Sequence, residues 1–396
     1  MLRNSSRLIF VFGLIVLCLG GGALSAQTGS AGLGFGGSVG LSFTYTPVPP
    51  FSFNIASELT LGLQIGGFAF SSATGFDLSG FQSQEFAASI SLGAVQIADD
   101  IRFEPTFDWN KLSVDVQILG VNAGVDLILA NLGAIQTPTY SMGLVLEASS
   151  GVVCGFSITS LTGFGATDLV NEIGGVAAPF SHKLLGLFTH LDELFGSGGP
   201  LEVTIVPGFA FEEQLVRLEV DEAGLLASTT TWFDSSGFAQ ETLELGYRFD
   251  DPRLAFLSAF TFDPTFSISN VDLILDLHID PVEFTSRTSF AAAAPLSPLP
   301  VAFAGQGFAV SVMICGVTVT SETTFDGTLL FSGERIALEA RIDPVSFASL
   351  TSFDGSGFVG QDLQASVTFG GITLSTSASF DTGGITQITF GFQFRF

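Results

Sequence analysis

Basic residues are scarce in this chain: 12 Lys and Arg stand against 38 Asp and Glu, a formal net charge of −26. The few cations are not clustered, so nothing would neutralise a run of phosphates, and nucleic acid is excluded as a partner. Cysteine is scarcer still, with three in 396 residues. Cys154 and Cys315 are too few for a disulfide framework. Their settings, Val152-Val153-Cys154 and Met313-Ile314-Cys315, read as strands in which each thiol is a small buried or lipid-facing hydrophobe. The three histidines are His182, His190 and His278. The first two lie about two helical turns apart, too far to share a metal without a third ligand, and no metal or cofactor is expected. Charged residues make up 13% of the chain, where a soluble domain carries about 25%. Beyond the first 26 residues no run of 18 apolar residues occurs, so no helical membrane span is expected.

What the chain has instead is 47% apolar residues, 42 of its residues being phenylalanine, arranged with period two. Leu59, Leu61, Leu63 and Ile65 fall on one strand face, as do Leu112, Val114, Val116 and Ile118, and Val271, Leu273, Leu275, Leu277 and Ile279. Ser, Thr, Gly, Gln and acids fill the alternate positions, the pattern of a half-apolar sheet. A Phe-Asp pair recurs at 76–77, 107–108, 233–234, 249–250, 262–263, 325–326, 353–354 and 380–381. Several pairs run on into Gly or Pro, which is turn chemistry. The spacing of the later pairs matches a hairpin, so a degenerate hairpin repeat is expected, strongest after residue 224. The rhythm breaks at about 167–200, where Leu184, Leu187, Phe188, Leu191, Leu194 and Phe195 follow helical spacing. One amphipathic helix near 181–195 is predicted there, as a plain loop helix in preference to an inward-folded constriction or an interfacial helix.

Residues 1–26 read as a secretory signal: Arg3 and Arg7, then an apolar stretch from Leu8 to Leu19, then small residues before a cleavage point near Ser25 or Ala26. The last strand places Ile388, Phe390, Phe392, Phe394 and Phe396 on one face, with Thr389, Gly391, Gln393 and Arg395 on the other. This ending resembles the C-terminal assembly signal of bacterial outer-membrane β-barrels, porin-like proteins whose terminal Phe and alternating apolar residues are read by the outer-membrane assembly machinery. The resemblance implies a single transmembrane antiparallel barrel over residues 27–396, bedded in outer-membrane lipid. At roughly 14–18 residues per strand and turn it has about 18–24 strands. The chain departs from typical barrels in one respect. Their interface girdles use Tyr and Trp, and here there are only 3 Tyr and 2 Trp.

Catalytic patterns do not survive inspection. Gly36-Gly37-Ser38-Val39-Gly40 matches a hydrolase elbow literally but runs on as strand, and the glycine pattern from Gly32 to Gly37 has no helix after it. No nucleophile motif accompanies His278, and the chain is not expected to be an enzyme. Asp272, Asp276 and Asp280 recur every four residues opposite the leucines of one strand, so an acidic row on a lumen wall is expected. A wide barrel with small polar inward residues leaves an open lumen. The expected function is passive, porin-like diffusion of small hydrophilic solutes with a cation preference; a homo-oligomer is compatible with this. Two other readings share the alternation: a β-protein that binds or conducts lipid on an inward apolar face, and a secreted structural or surface-layer repeat protein.

Overall fold

The computed structural model describes residues 33–105, 108–133, 137–169, 180–195, 203–250, 253–293 and 301–396; the expected secretory signal lies outside them. Twenty-two strands make one antiparallel sheet: β1–β9 between Leu33 and Phe164, and β12–β24 between Phe211 and Arg395. Each strand pairs with its sequence neighbour, β9 (Phe156–Phe164) pairs with β12 (Phe211–Glu222), and β1 (Leu33–Thr46) pairs with β24 (Gly384–Arg395). The sheet therefore closes on itself, a barrel within the expected range of strand number. The closing seam runs from Ser38 opposite Arg395 to Tyr45 opposite Ile388, and Gly37 exchanges both backbone hydrogen bonds with Phe396 at 3.0 and 3.1 Å.

The period-two pattern sorts residues to the two faces of this wall. On β16 (Ile268–Ile279), Leu273 is 43% exposed on the outside, while Asp272 and Ile274 are buried on the inside. Phe390, Phe392, Phe394 and Phe396 all lie on the outer face and are exposed. An apolar exterior over a mostly polar interior inverts the arrangement of a water-soluble protein. Closure leaves the 22-stranded sheet without a free edge strand among the described residues, so each strand pairs on both sides, as a β-structure in a bilayer requires.

The two ends of the barrel turn differently. At the end where β1 begins and β24 finishes, the connections are mostly tight. Leu119-Gly120, Cys154-Gly155, Ala223-Gly224 and Cys315-Gly316 place both turn residues at positive φ, the twist that matches two antiparallel strands. Cys154 and Cys315 are thus exposed turn residues and unbonded, not the strand hydrophobes their neighbours suggested. At the opposite end the Phe-Asp pairs close odd-to-even hairpins. Asp77, Asp234, Asp326 and Asp354 each accept hydrogen bonds from the backbone N–H and hydroxyl two residues on, at 2.6–2.8 Å. Asp263 does the same with Thr265 and also accepts from Ser267 N–H. The Thr265 hydroxyl, then the Ser267 N–H, hold its carboxyl below the ordinary range. A bulge shifts the register beside Phe76, Phe233, Phe353 and Phe380 alike. Phe249-Asp250 is the exception, since it ends β14 (Gly237–Asp250) at the tight-turn end.

Candidate functional site: the lumen and its strap

The described residues between β9 and β12 pack inside the barrel. They form a short antiparallel pair, β10 (Ala166–Thr167) with β11 (Thr204–Ile205), and between them two helices, α1 (Phe180–Leu184) and α2 (Gly186–Phe195). The helical spacing predicted one helix; the chain breaks it at Leu185. The expected loop position holds, since both helices lie in the connection between β9 and β12; within it they pack on the inner wall. Phe180 is buried against Leu226, Leu257 and Ile274, and Leu191 against Ala337 and Leu350. These inward leucines and isoleucines interrupt an otherwise polar face and give the strap an apolar track. Ala166, Leu169, Val203 and Ile205 likewise cover inward Trp109, Ile128, Val145 and Leu161. Two inward glycines make the approach close enough. A Cβ at Gly307 would lie 3.1 Å from the Phe188 ring, and one at Gly143 only 2.6 Å from Ile205.

Carboxylates of the wall fasten the strap. Glu244 is fully buried and accepts the N–H groups of Phe180 and Ser181 at 2.7 and 3.0 Å, together with the Ser228 hydroxyl. It thereby satisfies two of the N–H groups that a helix start leaves without partners. Arg217, 2% exposed, lies 3.9 Å from Glu244, bridges to Glu219 at 3.0 Å and sits over the Phe180 ring. Glu213 accepts from Leu169 N–H and from Trp232 Nε1. At the far side His190 meets Glu339 at 2.7 Å. Between α1–α2 and the wall lies a cavity of about 480 Å³, whose lining includes Lys183, His190, Arg253, Asp276, His278 and Glu339.

The predicted acidic row is only partly a row. Asp272 and Asp276 point inward, but Asp280 lies past the strand end, in the exposed turn with Pro281. Asp272 is held by Arg287 in a two-pronged pair at 2.9 and 3.0 Å and by the Ser289 hydroxyl. Asp276 accepts from Thr285 at 3.1 Å, and His278 pairs with Glu283. A denser acidic group lies elsewhere, on β5 (Val95–Phe103) to β8 (Tyr140–Ser150): Asp100, Asp115, Asp126 and Glu147 share the inner face, with Lys111 3.5 Å from Asp126. The alternation of Leu112, Val114 and Val116 already marks Asp115 as inward. The clustering across four strands needs the register, which no single strand contains. Every strand Lys or Arg among the described residues also stands on inward rows, as Arg102, Arg217, Arg287 and Arg335 do. No cluster that could hold a metal ion occurs among the described residues.

The strap does not cover the whole wall. The inner face of β22 (Gly357–Phe369) to β24, continuing through β1 to β4 (Gly80–Leu92), carries Gln364, Ser366, Ser375, Ser377, Glu58 and Gln393 beside open space. A barrel of 22 strands at the usual strand spacing and tilt has a backbone diameter of roughly 40 Å. A helix with its side chains is only about 10–12 Å thick, so α1 and α2 narrow this lumen without filling it.

No family model matches the chain, and no curated protein matches it. Among solved structures, the siderophore receptor PirA of Acinetobacter baumannii superposes with a TM-score of 0.57 at 9% identity, over 93% of this chain and 81% of that one. A porin of Rhodopseudomonas blastica, in a triple-mutant form, aligns over 92% of this chain and all of its own at 10% identity, with a TM-score of 0.38. The first likeness is one of fold, the closed antiparallel barrel.

Proposed function

We propose that the chain is an outer-membrane β-barrel that lets small hydrophilic solutes diffuse passively, with a preference for cations. The observation that carries this reading is the wall itself: apolar rows face outward, polar rows face inward, and the lumen is wider than its strap. A conduit for hydrophobic molecules would need the opposite facing. The cation preference rests on the inward group Asp100, Asp115, Asp126 and Glu147, since carboxylates on a low-dielectric wall raise the local cation concentration. On this reading the protein is not an enzyme. Residues 1–26 direct export, and the partners are outer-membrane lipid and the assembly machinery that reads Phe390 to Phe396.

The test is reconstitution into planar bilayers. Folded protein is expected to conduct and to favour K⁺ over Cl⁻ in a salt gradient. The preference is expected to fade towards 1 M salt, where screening acts over about 3 Å instead of about 10 Å at 0.1 M. Asp115→Asn combined with Glu147→Gln is expected to lower it further. Well-folded protein that opens no channel overturns the pore reading.

A further inference from the structure

Most of the chain's aromatic residues are Phe, which gives an interface girdle ring area but no polar handle. The structure supplies that handle from a second residue, five times over. Beneath the Phe-Asp turns and their counterparts, an even-numbered strand places Gln84, Glu241, Gln306, Glu334 or Gln361 on the outer face. On one side each stands opposite a threonine of the preceding strand: Thr74, Thr231, Thr288, Thr323 and Thr351 in the same order. On the other side each stands opposite a phenylalanine that ends the next strand or its hairpin: Phe103, Phe262, Phe325, Phe353 and Phe380.

Strand tilt makes this arrangement level with the girdle. The residue opposite a carboxamide on the next strand is the Phe of the following hairpin, so Gln or Glu alternates with Phe around the barrel. Above each rung a second pair of rings meets edge to face, as in Phe76–Phe81, Phe233–Phe238, Phe325–Phe331 and Phe353–Phe358, with centroids 6.0–6.4 Å apart. Below it the outer face turns apolar again, as at Leu363, Ala365 and Val367.

The polar members are tied to neighbouring hydroxyls. Thr74 donates to Gln84 Oε1 at 2.5 Å and Gln84 Nε2 donates to Ser72 at 2.9 Å. Gln306 is held by Thr288 and Ser286, Gln361 by Thr351 and Ser349, Glu241 by Thr229 and Glu334 by Ser321. Gln84 Nε2 also donates to the Ala73 and Glu85 carbonyls and Gln306 Nε2 to that of Gly307, so the donors of these two are spent. What stays open is acceptor capacity: a carboxamide oxygen has two lone pairs and a carboxylate about four lone-pair sites. A polar group facing hydrocarbon with capacity to spare is costly, whereas the ester and headgroup layer can fill it.

We infer that Gln84, Glu241, Gln306, Glu334 and Gln361, each with the phenylalanine it faces, form a two-residue anchor that binds the ester and headgroup layer of the lipid. The pair replaces the single Tyr or Trp of other girdles and sets the depth of the barrel in the membrane. The inference rests on the membrane-spanning reading above.

The experiment places a nitroxide on Phe358→Cys or on Ala365→Cys, in full chains whose native cysteines are replaced by serine. The proteins are folded into phosphatidylcholine vesicles, and depth is read from collisions with oxygen and with a water-soluble nickel chelate. The label at 358 is expected at the ester level and the label at 365 within the acyl chains. Exchanging all five Gln and Glu for Leu is expected to move the label at 358 towards the oxygen exposure of 365, and Gln361→Leu alone to move it part of the way. A label at 358 deep among the acyl chains in the otherwise unaltered protein, or one whose depth ignores both variants, overturns the anchor. A label at 365 in contact with water overturns the membrane-spanning reading itself.

Discussion

Glu244 shows how much rests on one side chain. Its two oxygens take the first N–H groups of α1 and the Ser228 hydroxyl, and a buried guanidinium lies alongside. Glu244→Ala removes charge-assisted bonds and leaves buried donors without acceptors, which costs about 3 kcal/mol of strap docking. The expected outcome is faster proteolysis of the 165–210 segment and noisier single-channel current, with the barrel still closed. Strap cleavage and current noise like those of the unaltered protein would show that the apolar track alone holds α1. In the sequence Glu244 is legible only as an inward residue, because Leu243 and Leu245 flank it. Its partners Phe180 and Ser181 are 64 and 63 residues away, a separation that strand periodicity does not encode. Asp280 shows the opposite limit. Its four-residue spacing looked like part of a row, but the following Pro281 turns the chain one step earlier.

At the scale of elements, the wall strands were readable because each is half apolar and period two survives over nine or more residues. The helices were readable for the same reason at a different period. Where they pack was not readable from the helices, since an amphipathic helix suits any apolar track. The signal lay on the wall, in inward Leu226, Leu257, Ile274 and Leu350, which break the polar alternation. Only closure makes these four positions face one space. Replacing residues 180–195 by a short Gly-Ser linker is expected to leave the 22 strands in place and to raise single-channel conductance. The increase is expected to be well below an order of magnitude, because the strap takes up only part of the space inside a wall whose backbone diameter is roughly 40 Å. Unchanged conductance would mean that the narrowest point lies elsewhere.

At the scale of the whole molecule, the barrel is held by ladder pairing all round, and the closing contacts are among its most delicate. Phe396 contributes both of its backbone partners to Gly37 and rests its ring near Phe35, at a centroid distance of 6.4 Å. Phe396→Asp puts a charge on the outer face beside the seam, just past the end of β24, where a charge costs about 0–1 kcal/mol near the interface and more only towards the bilayer midplane. The expected outcome is a lower yield of the form that resists unheated SDS and shifts on boiling, with more chain degraded before assembly. Unchanged yield would separate the Phe396 side chain from any assembly role.

The seam joins residues 345 and 355 positions apart through Thr44 with Thr389 and Ser38 with Gln393. Until those partners meet, the chain is an open ribbon with two bare edges, each able to recruit a foreign strand. Loop-closure entropy for a separation of this size is spent before any reward comes from the contact. The chain therefore passes through a long vulnerable interval in which its neighbours decide its fate. Closure is the step that removes both edges at once: the sheet is protected only when it has become a ring.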